Sequence, residues 1–503
     1  MHRFLLLCSV LIACAAVPVR AQYIPRDERG SRDAERKAVV DANRVGITQF
    51  NFGLGGGVGE IRGWWPIGSE NFYLGDFQLI VGAEVVDESG ATVQIVETSR
   101  APRAGADGPP NDPNVFWGFE AVPEYQNPGS PTWAHSDDAS TWPDVWPDRL
   151  GDASDPGWPG SWNGLLGKDA FIDGVEFYSH YADNADQEFD YTPDPENPER
   201  GGLGLVVSQR VLAWTDPLLE DAVVYVYDVY NASPKPLDTA ALGFVLGTLA
   251  GGVGDTQDDV FAYDFDRDVA YWEDFDNHGN QGQPVGTASI ALLQTPTPVP
   301  GDPAESEIGL TGVYGFTPPG AVRMYDDDLL FDILTTPGAN DAEIEQCAAG
   351  GGCDGDLIVS AGPFALPAFS SQRVVAALVF GENRAEAASK VDVLREFVRN
   401  GFSLEGGVSV SDVSPSALRL DVFPNPVRQT ATLGYGLRHA GRVTLTVYDV
   451  LGREVAVLVD DIRAAGEYTV RLDARHLASG VYIVRLDAAG GVTRTQRATV
   501  LRR

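Results

Sequence analysis

The chain has 503 residues, with 36 Lys plus Arg against 72 Asp plus Glu and a formal charge of -36. So acidic a surface repels phosphate backbones, which excludes nucleic-acid binding as a main task. An apolar content of 44% excludes a wholly disordered chain.

The charge is uneven. The last 83 residues hold 12 Arg against 8 acids, and Lys occurs only at Lys37, Lys168, Lys235 and Lys390. An acidic, Lys-poor surface stays hydrated in salt and favours divalent cations. Met1-His2-Arg3 precedes a 14-residue apolar run at 4–17, too short to span a bilayer, and Val19-Arg20-Ala21 fits a cleavage site. Residues 1–21 are therefore expected to be a secretory signal peptide. Leu11-Ile12-Ala13-Cys14 offers a rival reading, a lipid anchor at Cys14, although apolar sequence continues past it. No later stretch has the length of a transmembrane helix. Residues 22–45 are polar and mixed in charge, and are expected to be a flexible N-terminal arm with a short helix.

From 46 to 403 the pattern predicts an acidic, β-rich, sandwich-like body with one or a few helices. Strands are expected at 77–86, 91–96, 203–214, 222–230 and 373–380; the longer ones are apolar on both faces and hence central. Trp117, Trp133, Trp142, Trp146, Trp158 and Trp162 crowd into 46 residues. They are either a local core for a long loop or a sugar-contacting face, with Trp142, Trp146, Trp158 and Trp162 as contacts. Asp137, Asp138, Asp144 and Asp148 nearby could pair as in a glycosidase, but the sequence leaves their separation open.

Nucleophile motifs are missing: there is no Gly-x-Ser-x-Gly and no His-Glu-x-x-His. The glycine run at 53–59 lacks the ending of a phosphate loop, and His135, His180 and His278 are scattered. The richest candidate is 255–276, with nine acids in 22 residues. Asp264, Asp266, Asp268, Asp274 and Asp276 offer hard oxygen ligands at alternating positions, which suits calcium. Val269 and Phe275 fall where an EF-hand requires Gly and Glu, so the run is no EF-hand, and it reads either as a solvated acidic loop or as a structural calcium loop of another kind.

Cys347 and Cys353 flank a Gly-rich turn and read as a local disulfide in an exported chain. Asn383 with Glu386 fits an N-cap and its partner; Ala387, Val391, Leu394 and Val398 mark one apolar face, and Gly401 stops the helix. Residues 404–420 read as a linker.

The tail, 421–503, alternates strictly. Val443, Leu445 and Val447 share one face, as do Tyr482, Val484 and Leu486, and turn residues recur every 8–12 positions. This predicts a small Ig-like β-sandwich of about seven strands. The run Phe423-Pro424-Asn425-Pro426, then Val447-Tyr448-Asp449-Val450-Leu451-Gly452-Arg453, then Leu477-Ala478-Ser479-Gly480-Val481-Tyr482, resembles the type A C-terminal sorting domain of type IX secretion cargo. The resemblance implies that Phe423, Pro424, Asn425, Pro426, Gly452 and Gly480 are sorting-motif residues. It also implies passage through the outer membrane by the type IX machinery of Bacteroidota and relatives, and release or attachment to surface lipopolysaccharide. In the body, Trp142-Pro143-Asp144-Val145-Trp146-Pro147, Gly157-Trp158-Pro159-Gly160-Ser161-Trp162, Val226-Tyr227-Asp228-Val229-Tyr230-Asn231 and Val379-Phe380-Gly381-Glu382-Asn383 resemble an uncharacterised group of exported proteins from the same bacteria, which implies no activity. The expected function is that of an exported surface or secreted protein with a structural or binding role; the alternative is an extracellular hydrolase acting on polysaccharide.

Overall fold

The computed structural model describes residues 23–57, 59–99, 107–109, 115–148, 157–252, 254–255, 257–300, 306–317 and 322–404, and in the tail 419–423, 427, 430–437, 441–449, 453–463, 466–478, 480–488 and 492–500. The signal segment 1–21, Pro424, Asn425, Pro426, Gly452 and most of the linker lie outside the described residues. The chain divides into two compact units, Met1–Arg395 and Glu396–Arg503.

The first unit is built on long strands. Leu74–Val86 shows period-two alternation: Phe77, Leu79, Val81, Ala83 and Val85 enter one core, whereas Ile80 enters another on the opposite face. It pairs antiparallel with Leu237–Thr248, which pairs with Asp356–Leu366, so three long strands make the middle of a nine-stranded sheet. Ala222–Asn231 is rich in Val and Tyr, good strand formers, and lies between Leu205–Trp214 and Ser371–Gly381 in an eight-stranded sheet. The sheets pack face to face through aromatics. Phe77 and Phe244 of the first stack at 5.4 Å, and Phe77 meets Tyr225 of the second at 4.8 Å. Burying such rings on both inner faces stabilises a sandwich.

Three helices cover the outer surfaces. α1, Asp327–Thr335, lays Leu330, Phe331, Ile333 and Leu334 on Ile80, Ala241, Val245 and Ile358. α2, Asp341–Ala349, buries only Ile344. α3, Arg384–Arg399, starts as its sequence predicts: Asn383 Oδ1 accepts from Glu386 N at 3.1 Å, and Glu386 Oε2 accepts from Glu382 N at 3.2 Å. Gly401 ends it at φ +69, where a side chain would be strained. Lys390 tethers α3 to the sheet, donating to Phe380 O at 2.9 Å and pairing with Asp221 at 2.8 Å.

The segment expected to be a flexible arm is packed instead. Lys37–Val40 pairs with Ile47–Phe50, and Ser31 N donates to Ala121 O at 2.8 Å. Buried Glu28 accepts from Tyr23 Oη at 2.5 Å and Tyr125 Oη at 2.7 Å, and pairs with His180 Nδ1 at 2.7 Å. The segment 22–45 supplies the carboxylate and Tyr23, and the body supplies Tyr125 and His180, so a polar residue that composition reads as solvated is buried with its partners.

The tail is a seven-stranded β-unit. Arg419–Phe423, Thr430–Leu437 and Gly466–Asp473 form one sheet; Glu454–Arg463, Gly441–Asp449, Gly480–Ala488 and Val492–Val500 form another. Val443, Leu445, Val447, Tyr482, Val484 and Leu486 face a single core with Leu433, Tyr435 and Leu472.

Candidate functional site

The acidic run folds into one hairpin. Asp259–Asp264 pairs antiparallel with Val269–Asp274, with Asp264 opposite Val269 at the turn and Asp259 opposite Asp274 at the open end. Strand rise puts the two ends roughly 17 Å apart, so the carboxylates separate into two sets.

At the turn the acids hold the backbone. Asp264 Oδ1 accepts from the N–H groups of Asp266 (3.1 Å) and Arg267 (3.2 Å), and its Oδ2 pairs with Arg267 at 2.9 Å. Asp268, left-handed at φ 48, accepts from Leu310 N at 2.8 Å and pairs with Arg395 at 3.3 Å. Asp266 is exposed. None of these three belongs to a convergent carboxylate group among the described residues.

At the open end Asp255, Asp258 and Asp274 each bring an oxygen within 4.8 Å of the others. Asp274 Oδ1 accepts from His278 N at 2.9 Å, while its Oδ2 and that of Asp255 have no hydrogen-bond partner. Both oxygens crowd Gly251 (φ +91), where a Cβ would stand 2.5 Å from Asp255 Oδ2 and 3.2 Å from Asp274 Oδ2. Glycine there keeps the space open. Burial, reinforced by the charges of Asp258, Asp255 and Asp276, lifts the Asp274 carboxyl to about 6 against the His278 N–H. Burial and carboxylate neighbours also raise Asp255 and Asp258. Asp276 stands at the exposed rim of the set and adds charge. Three carboxylates with no nitrogen or sulfur donor among them fit a hard cation such as calcium.

The disulfide braces this end. Cys347, in the last turn of α2, is bonded to Cys353, with Cα atoms 5.4 Å apart. Cys353 N donates to Asp259 O at 3.0 Å. A Cβ on Gly352 would lie 2.2 Å from the Asp258 backbone, so the bridged loop presses directly on the segment that presents Asp258. Beside it opens a hollow of about 320 Å³, lined by Phe261, Phe316, Ile344, Cys353 and Glu343 among others.

The Trp-rich loop builds a core of its own on the outer face of the eight-stranded sheet. Trp146 and Trp162 are enclosed, edge to face at 5.5 Å, over Tyr178, Ala182 and Val206. Trp146 Nε1 donates to Ser161 O at 2.8 Å and Trp162 Nε1 to Glu176 Oε2 at 3.2 Å. Glu176 is itself paired with Arg210 at 2.5 Å, and Arg210 covers the Tyr178 ring at 3.7 Å. Trp146 and Trp162, expected as sugar contacts, therefore offer no face to a ligand. Trp142 and Trp158 are half-buried against the same cluster and keep an exposed edge. The nearby acids form no facing pair: Asp138 caps a 3-10 turn by accepting from Ser140 N at 2.9 Å, Asp148 accepts from Tyr178 Oη at 2.7 Å and from Asn163, and Asp137 and Asp144 are exposed.

Two buried groups have no sequence signature. One is the Glu28–His180 network described above. The other gathers Asp107, Glu188 and Asp327 from chain segments up to 220 positions apart, with oxygens again within 4.8 Å of one another. Three or four acids scattered singly carry no spacing to read.

In the tail, the backbone of Phe423 pairs with Thr432 and Gly480 opens a strand opposite Val500. Residues 421–500 match the family of the secretion system C-terminal sorting domain. The tail carries a type IX sorting domain. It marks the chain for secretion to the cell surface or the extracellular space by that machinery. No helix among the described residues is long and apolar enough to cross a membrane. No curated protein matches the chain. Among solved structures it is similar to a polysaccharide lyase (9% identity, TM-score 0.22, 84% of this chain and 47% of that one). It is also similar to dimeric latent PorU from Porphyromonas gingivalis (11%, TM-score 0.17, 59% and 26%) and to PorZ of the same bacterium's type IX system (11%, TM-score 0.13, 96% and 60%). The chain thus spans about half the length of the lyase, and overlaps this loose carry no argument about activity.

Proposed function

We propose that this chain is type IX cargo with a structural or binding role at the outer surface or in the medium. We propose further that its body is stabilised by calcium held at Asp255, Asp258 and Asp274. A signal peptide at 1–21 would bring it to the periplasm, and the sorting domain would then hand it to the translocon, with release or attachment to surface lipopolysaccharide as the last step. The observation that carries the structural reading is the engagement of the body's carboxylates. Asp138 caps a turn, Asp264 and Asp268 pair with Arg, and Asp255, Asp258 and Asp274 gather with their oxygens turned on one another.

The test incubates the exported protein with a panel of cell-wall and environmental polysaccharides, with calcium and with chelator, and measures binding and product release. Binding without turnover, or inertness with a calcium-dependent rise in melting temperature, is expected. Turnover abolished by neutralising one carboxylate would replace this reading with that of a hydrolase. Binding that survives W142A and W158A would place the contact surface elsewhere.

A further inference from the structure

Asp107, Glu188 and Asp327 form a second convergent set, independent of the hairpin. Asp107 and Asp327 are only 4% and 6% exposed, and Asp107 Oδ1, Glu188 Oε2 and Asp327 Oδ1 are buried with no hydrogen-bond partner. A second rank of buried carboxyls stands behind them, Glu97, Asp183 and Asp186. Burial first, and then the charge of Asp186, raises Asp107, Glu188 and Asp327. Glu97 Oε2 and Asp183 Oδ1 likewise have no partner.

The arrangement is oriented. Asp327 Oδ2 accepts from Val96 N at 2.8 Å, Glu97 Oε1 from Leu203 N at 3.1 Å, and Asp183 Oδ2 from Leu205 N at 2.8 Å. Of the three ligands, Asp327 is fixed by one oxygen on a backbone N–H and keeps the other open, and Glu97 and Asp183 behind it are held in the same way, as outer hydrogen bonds orient groups around a metal. At Gly202 (φ +64) a Cβ would stand 2.6 Å from both Glu97 Oε1 and Asp183, so a glycine is required for the close approach. No Lys, Arg or His pairs with Asp107, Glu188 or Asp327 among the described residues. The guanidinium at hand, Arg200, faces Asp183. Burying several carboxylates side by side is costly, and a cation among them lowers the cost.

The donor set selects the ion. Oxygen ligands alone argue against zinc, which recruits His and Cys. Calcium binds oxygens at 2.3–2.6 Å, so ligands on its opposite sides lie roughly 4.6–5.2 Å apart, and a set confined within 4.8 Å encloses one such ion. We infer that Asp107, Glu188 and Asp327 form a buried calcium site, backed by Glu97, Asp183 and Asp186. The ion would join Asp107, the segment after the strand Gly174–Ala182 that carries Glu188, and the first residue of α1, whose Asp327 also accepts from Val96 N of the strand Thr92–Glu97. The site would thus tie a segment that follows a strand of the eight-stranded sheet to the helix that covers the nine-stranded one, rather than close a single loop.

The test uses the whole exported protein, stripped with chelator and titrated with calcium chloride by calorimetry and thermal melting. Wild type is expected to bind two calcium ions, E188Q/D327N one, and D258N one. Calcium at about 100 times its Kd should raise the wild-type melting temperature by several degrees. E188Q/D327N should lose the part of that shift that D258N keeps, and in chelator should melt no lower than wild type, because amides replace unpaired charge. Wild-type stoichiometry in E188Q/D327N, or an equal response to magnesium, would overturn the assignment. Should that variant not fold, terbium is located by anomalous scattering in crystals of wild type. Density among Asp107, Glu188 and Asp327 supports the site, and density confined to Asp255, Asp258 and Asp274 overturns it while leaving the hairpin site intact.

Discussion

Glu28 shows how one residue ties the N-terminal segment to the body. Burial alone would push its carboxyl up, but the His180 imidazole and the hydroxyls of Tyr23 and Tyr125 outweigh it and hold the group below its ordinary value. The ring of Tyr125 also stacks on His180 at 3.8 Å, and Tyr178 bridges His180 Nε2 to Asp148. A carboxyl depressed on folding stabilises the native state above the ordinary glutamate value of about 4.3. That contribution fades as pH falls through the lower folded value. E28Q is therefore expected to cost about 3 kcal/mol at pH 7, the scale of breaking a buried pair, as measured by urea unfolding. The gap between E28Q and wild type should narrow as pH drops from 5 to 3. A gap that stays constant over that range would show that the charge on Glu28 contributes nothing.

The tryptophans make a second residue-scale case. Trp162 is wholly enclosed and hydrogen-bonded to Glu176, whereas Trp142 keeps an exposed edge while its Nε1 donates to His135 O at 2.7 Å. W162A is expected to lose about 3–5 kcal/mol, and W142A distinctly less, by the same measurement. Equal losses would mean that the loop core is not organised around the Trp146–Trp162 pair.

At the scale of elements, the hairpin 259–274 and the disulfide act together. The bridge closes a seven-residue loop whose glycine abuts Asp258, so removing it frees the segment that presents one of three carboxylates. C347S/C353S is expected to lose about 2 kcal/mol from chain entropy alone. Calcium titration should also show weaker binding at the hairpin site, with the Asp107 site unchanged. Unaltered affinity at both sites would reduce the bridge to a local staple.

The same elements show what the sequence makes legible. The strands Ala222–Asn231 and Ser371–Gly381 and the helix α3 stand where apolar runs, an Asn cap and a terminal glycine predict them, because those signals are local. α1 escapes notice: its cap, Asp326, which accepts from Leu329 N, hides in a run of acids, and nine residues give too few turns for a period. The acidic run at 255–276 points to the right hairpin. It does not reveal that pairing sends Asp264, Asp266 and Asp268 to one end and Asp274 to the other, since register is a tertiary property. Among the tryptophans, core and contact surface call for the same chemistry, and only enclosure separates Trp146 from Trp158.

For the whole molecule, acidity and export are connected through the two units. The tail has its own core, which shares no residue with the sandwich core, and a basic balance of 12 Arg against 8 acids, unlike the acidic body. Because the two cores share no residue, a chain lacking 421–503 keeps every residue of the sandwich core, and the deletion tests sorting. Deleting 421–503 is expected to leave a calcium-responsive body trapped in the periplasm, as measured by fractionation and immunoblotting of periplasm, surface and medium. Undiminished surface or medium levels would refute routing through the tail. A truncated protein that neither accumulates nor melts cooperatively would refute the independence of the two cores. Calcium adds a further constraint. Part of the body's negative charge sits in two convergent carboxylate sets, where burial raises the cost of holding like charges together. Folding of the body should then depend on calcium wherever the chain completes it. Chelating calcium during export should lower the amount of protease-resistant body recovered, while the sorting domain, which has its own hydrophobic core and no convergent carboxylate set among the described residues, resists protease as before. Equal loss of both would mean that calcium acts on the export machinery and not on this chain.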